Sequence, residues 1–73
     1  MSVAKPTRVT NRIAEHRHHA GMSQAELAER IGVTRQTVNA IERGKYSPSL
    51  EASFLIARVL QRRLEEVFDY PAD

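Results

Sequence analysis

The chain has 73 residues, no cysteine and a formal net charge of +2, which bounds it to one small domain and excludes disulfides and thiolate metal sites. A domain of this size buries only about 60% of the surface its unfolded chain exposes, so self-association adds to its stability and no space is left for a second domain or a roomy catalytic cleft. The charge is uneven, with eight Lys/Arg against four Asp/Glu in residues 1–50 and three against five in residues 51–73, and a basic front and middle point toward a polyanionic partner.

No apolar run approaches the roughly 20 residues that cross a membrane, and MSVAKPTRVT lacks the apolar stretch of a secretory signal. With no cysteine, the expected location is the cytoplasm. No nucleophile is paired with a base and no glycine-rich phosphate loop is present, so an enzyme is not expected.

Residues 1–7, MSVAKPT, are short, polar and carry Pro6, and read as a flexible arm before a single domain over residues 8–69. Lys5 and Arg8 are the basic groups of this region. The first helix is expected over about residues 8–20, with Ile13, Arg17 and Ala20 at i, i+4 and i+7 on one face and Gly21 at its left-handed end. The second helix, about 24–31, has a capping box in Ser23-Gln24-Ala25-Glu26 and an apolar face of Leu27, Ala28 and Ile31. Gly32 ends it.

The third helix, about 35–43, starts only two residues later with Thr34 as N-cap, Val38 and Ile41 turned inward and Gly44 closing it. Two short helices joined by the tight Gly32-Val33 turn form a helix-turn-helix unit. A loop at Lys45-Tyr46-Ser47-Pro48 follows. The fourth helix runs from near Ser49 to about Leu60 with Ser53, Ile56, Ala57 and Leu60 as its inner stripe, and the fifth takes Leu64 to about Phe68 with Leu64, Val67 and Phe68 inward. No segment alternates in the manner of a strand, so the expected class is all-α, five short helices. Residues 70–73, with Tyr70 and the acidic end, read as a solvated tail.

The third helix carries a particular outer face. An α-helix fits the major groove of DNA, where Arg bonds guanine O6/N7 in bidentate fashion and Gln or Asn bonds adenine N6/N7. Arg35, Gln36 and Asn39 supply those groups, with Thr37 and Ala40 beside them, and Arg43, Lys45 and Tyr46 follow where phosphate oxygens are expected. The free N–H groups at the start of the second helix, next to Gln24, offer another phosphate site. Taken alone, a polar outer face is also what any solvated amphipathic helix presents.

His16 and His19 share a helix face while His18 points away, and no acidic cluster joins them, so no metal or other cofactor is expected. Phe54 lies nearly opposite Ile56 and Leu60 on a helical wheel, with Leu55 and Val59 at the stripe's edge. With Phe68 of the fifth helix these residues are the candidate dimer surface, local packing under the arm or tail being the alternative.

Residues 11–60 resemble the Cro/phage-repressor (XRE) family of helix-turn-helix proteins. The resemblance is carried by "NRIAEHR", "MSQAELAERIGVTRQTVNAIERGKYSPSLE" and "IARVL", the middle string being the specific one. It implies a five-helix DNA-binding domain, usually dimeric, acting as a cytoplasmic transcriptional regulator on a roughly palindromic operator in double-stranded DNA. Position by position, it implies Arg35 and Gln36 as the main base readers, with Asn39 and Ala40 facing the groove further along. It places Gln24 where a glutamine grips phosphate and braces the first recognition residue, here Arg35. Thr34, Arg43, Lys45 and Tyr46 fall at backbone-contacting positions, with Thr37 grouped beside them, and Arg17 and Glu42 fall where some members form an ion pair linking the first helix to the third. A repressor binding as a homodimer, with no membrane partner and no evident small-molecule effector, is the reading; an antitoxin-like module that holds another protein is the alternative.

Two departures from the family pattern matter. Gln61-Arg62-Arg63 stands where Gly-Val-Ser is common, removing the glycine cap, an apolar contact and an N-cap, so the fourth helix is expected to run on or bend rather than break. Arg62 and Arg63 fit either a basic spot near DNA or a dimer contact. His16 occupies a site where leucine is common and is expected to be partly buried.

Overall fold

A computed structural model describes residues 7–72. Among these residues the chain forms β1 (Thr10–Asn11), α1 (Ile13–His19), α2 (Gln24–Ile31), α3 (Arg35–Glu42), α4 (Leu50–Leu60), α5 (Leu64–Val67) and β2 (Phe68–Asp69). The five helices surround one core, in which Ile13, Leu27, Val38, Ile56 and Val67 are almost wholly buried. Each helix contributes one of these five, so the core ties all the helices together.

The two strands are absent from the sequence expectation. They pair antiparallel, Thr10 opposite Asp69 and Asn11 opposite Phe68, and the Arg12 N–H extends the ladder to the Val67 carbonyl at 2.7 Å. This corrects the first helix, which begins at Ile13 rather than near residue 8. Asn11, just before the N-cap Arg12, supports the boundary: its Oδ1 accepts from the Ile13 N–H at 3.1 Å, a local turn that gives the first N–H of the helix a partner. At the other end Ala20 is exposed rather than on the inner face, and Gly21 takes φ 66°. The Met22 N–H then reaches back to the Arg17 carbonyl at 2.9 Å, closing α1 as a left-handed cap does.

α2 carries both halves of its capping box: Ser23 Oγ accepts from the Glu26 N–H at 3.0 Å and Glu26 Oε1 accepts from the Ser23 N–H at 2.8 Å. Gly32, at φ 79°, ends it. Val33 and the extended residue Thr34 lead at once into α3, whose N-cap Thr34 accepts from the Thr37 N–H at 3.1 Å.

α4 and α5 are separate helices, as the five-helix reading has it; the continuous or bent fourth helix expected from Gln61-Arg62-Arg63 is not found. Gln61 adopts φ 58°, ψ 44° in place of a glycine. The Arg62 N–H bonds the Ala57 carbonyl at 3.0 Å, the wide loop of a Schellman cap. A left-handed residue with a side chain costs about 1–2 kcal/mol. The break turns Leu64 and Val67 onto the same core as Leu60, and burying such side chains returns more than that. Half of a capping box starts α5, the Arg63 N–H donating to Glu66 Oε1 at 2.7 Å.

α5 ends at Val67, so Phe68 belongs to β2, half-buried against the core. His16 is half-buried between α1 and α5; its Nε2 donates to the Glu66 carbonyl at 3.0 Å. Its Nδ1 is buried with no partner among the described residues. Tyr70 is exposed, with the Arg8 guanidinium 5.6 Å from its ring centroid, a cation–π distance. Lys5, Pro6 and the rest of residues 1–6 lie outside the described residues.

Candidate nucleic-acid interface

α3 is held from below by Val38 and Ile41, both buried. Arg35 and Gln36 at its start are exposed; Thr37, Asn39 and Ala40 are half-buried along its outer side. The helix ends at Glu42, one residue short of the expected limit, and Arg43 is its cap. The Gly44 N–H then bonds the Ile41 carbonyl at 3.0 Å and the Lys45 N–H the Ala40 carbonyl at 3.1 Å. That turn leaves Arg43, Lys45 and Tyr46 exposed just beyond the helix.

A hydrogen-bonded network runs beneath the outer face. Arg17 on α1 donates from Nε to Glu42 Oε2 at 2.9 Å and from Nη2 to Glu42 Oε1 at 3.3 Å. Its Nη1 donates to the Met22 carbonyl at 3.0 Å. Both side chains of the pair are only 9% exposed, so the charges are shielded from water and a fork-to-fork geometry satisfies them. Gln24, the first residue of α2, joins them: its Nε2 donates to Glu42 Oε1 at 3.0 Å and to Asn39 Oδ1 at 3.3 Å. Its Oε1 accepts from Arg35 Nη1 at 3.3 Å.

One glutamine therefore links two residues of the outer face to a buried ion pair. The side-chain oxygen of Asn39 thus already takes a bond from Gln24. Gln36 has no such tie among the described hydrogen bonds and extends into solvent.

Asn11 is a residue that sequence reasoning missed. Its Nδ2 donates to the Ile41 carbonyl at 3.0 Å and to the Glu42 carbonyl at 3.4 Å. Both carbonyls lie in the last turn of α3, where acceptors run short of helical partners; the Ile41 carbonyl accepts from the Gly44 N–H as well. Its place in a resembling string gave no hint, because the contact spans 30 residues of sequence.

Along α4, Phe54 is 54% exposed and Leu55 37% exposed, whereas Val59 and, in β2, Phe68 are half-buried and packed on the core. Leu50, at 70% exposure the barest large apolar side chain among the described residues, lies one turn before Phe54 and was not singled out from the sequence. Among the described residues no helix is long and apolar enough to cross a membrane.

A helix-turn-helix family model matches residues 13–67. An uncharacterized HTH-type transcriptional regulator from Methanothermobacter thermautotrophicus is 56% identical over 57 residues, covering 77% of this chain and 83% of that protein. Among solved structures, the restriction-modification controller protein C.AhdI from Aeromonas hydrophila superposes with a TM-score of 0.69 at 33% identity, covering 74% of this chain and 78% of that one. The N-terminal DNA binding domain of SinR from Bacillus subtilis gives a TM-score of 0.66 at 31% identity over 73% of this chain and 78% of that one. The family match covers every helix from α1 to α5, and the chain belongs to the XRE family of helix-turn-helix DNA-binding transcriptional regulators.

Proposed function

We propose that the chain is a sequence-specific repressor that binds a palindromic operator as a homodimer, with α3 in the major groove. The observation that carries this reading is the hold of Gln24 on Arg35: a guanidinium fixed at the start of an exposed helix is prepared for bidentate bonding to guanine. Gln36 reads a neighbouring base, and Asn39 and Ala40 meet the groove further along. Gln24, through its backbone N–H at the start of α2, and Thr34, Thr37, Arg43, Lys45 and Tyr46 sit against phosphates on either side, and Arg17 and Glu42 hold the reading helix to the body. The dimer forms over the exposed α4 face, with Leu50 and Phe54 at its centre, and its two half-sites lie about 10–10.5 bp apart, one helical turn.

Selection of bound sequences from random DNA tests the proposal. It is supported by an enriched inverted repeat for which Arg35→Ala loses about 1–3 kcal/mol and relaxes choice at one base position. Absence of any enriched site sinks it. The exposed Leu50 and Phe54 also favour a second reading, in which the same face holds another protein as an antitoxin does. Weak, sequence-indifferent DNA binding by a chain that stays monomeric on its own supports that reading instead.

A further inference from the structure

We infer that Asn11 is a positioning residue that sets the angle of the recognition helix relative to the dimer face, and so the half-site spacing that the protein accepts. The inference rests on the homodimer reading above and deepens it. An amide carries one acceptor and one donor end, and Asn11 uses each on a different element. Oδ1 accepts from the Ile13 N–H at the start of α1, and Nδ2 holds the Ile41 and Glu42 carbonyls at the end of α3. The direction of the amide is forced, since an N–H requires an acceptor and carbonyls require a donor.

The backbone of Asn11 meanwhile pairs with Phe68 in the two-strand ladder. Phe68 lines an open apolar groove with Val9, Leu50 and Leu64. Asn11 thus joins the last turn of α3 to the strand beside the exposed apolar face. The other anchors of α3 do not do this: Arg17 and Gln24 reach back to α1 and α2.

Two substitutions separate the roles of this side chain. Asn11→Ser keeps a hydroxyl for the Ile13 N–H but is too short to reach α3. Asn11→Asp keeps the acceptor for Ile13 and sets a carboxylate against the carbonyl end of α3, where negative charge is unfavourable. Full-length wild type and both variants are titrated with three DNA duplexes: the selected palindrome, the same half-sites moved apart by about one or two base pairs, and a lone half-site. Circular dichroism and dimer mass are measured alongside.

The expected result is a palindrome affinity roughly five- to tenfold lower in both variants, the size of one or two hydrogen bonds. The preference for the selected spacing shrinks with it, while lone half-site binding, helicity and dimer mass stay as in wild type. An equal drop on all three duplexes, an unchanged spacing preference, or loss of helicity in both variants overturns the inference. A wild type with no spacing preference removes the homodimer reading and this inference with it, and is recognised from the wild-type titration alone.

Discussion

Gln24 Nε2 lies 3.0 Å from Glu42 Oε1, so the first residue of α2 bonds the last residue of α3 across the helix-turn-helix unit. The same carboxylate oxygen accepts from Arg17 Nη2 at 3.3 Å. Glu42 is therefore the point where three helices meet in polar contact, and its charge is compensated by a guanidinium that is itself 9% exposed.

Breaking that pair on one side leaves an uncompensated buried charge. Arg17→Met is expected to cost about 3–5 kcal/mol in urea unfolding, as single truncations of buried pairs do. Replacing both partners with apolar residues is expected to cost less than the sum of the two single changes. A loss below about 1 kcal/mol for the single change would place the pair among ordinary exposed ion pairs.

Gln24→Ala removes the brace on Arg35 while leaving the core untouched. Its effect on operator binding is expected to overlap in part with that of Arg35→Ala, because one of the three bonds it removes is the one to Arg35. In a double-mutant cycle on operator affinity, a coupling of about 0.5–3 kcal/mol is expected for residues in one hydrogen-bond network. Strictly additive losses would show that Gln24 and Arg35 act on DNA separately.

How much of this was legible follows from distance along the chain. The caps of α2 and α3 were readable because Ser23 to Glu26 and Thr34 to Thr37 are three residues apart, and backbone geometry alone brings them together. Val38 and Ile41 were readable as the inner face by their spacing. The ladder was not, since strands of two residues show no alternation and their pairing joins Thr10 to Asp69. The apolar patterns placed a break between Leu60 and Leu64, but a left-handed cap at Gln61, with no glycine there, was not legible. Local preference favours continuing the helix, and only the packing of Leu64 and Val67 on the core overrides it. Asn11 escaped notice because its partners are contributed by α3, far along the chain.

Phe54→Glu puts a charge at the exposed apolar face without disturbing the core, since the ring is 54% exposed. The expected outcome is a shift from dimer to monomer in light scattering, with thermal unfolding still cooperative. An unchanged mass would exclude this face as the dimer contact.

Two carboxylates give the protein an acid limb. Glu66 is held below the ordinary value of 4.5 by the Arg63 backbone N–H, and Glu26 by the Ser23 N–H and then the Ser23 hydroxyl. A carboxyl whose folded pKa is lowered contributes stability above its unfolded pKa and loses it as pH falls through the folded value. The melting temperature is therefore expected to hold near neutrality and to fall once pH drops below 4.5. Glu26→Gln with Glu66→Gln is expected to make that fall shallower; an identical acid limb would assign it to other groups.

Gln61 offers a stabilising change. Its φ of 58° is one that a glycine adopts without penalty. Relief of about 1–2 kcal/mol of left-handed strain is offset by the roughly 0.4–1 kcal/mol that glycine adds to the freedom of the unfolded chain. Gln61→Gly is thus expected to gain about 0.5–1 kcal/mol, a rise in melting temperature of a few degrees for a domain of this size. Gln61→Val is expected to do the reverse, because a β-branched side chain fits the left-handed region least well. A lower melting temperature for the glycine variant would mean that the Gln61 side chain contributes more than its backbone strain costs.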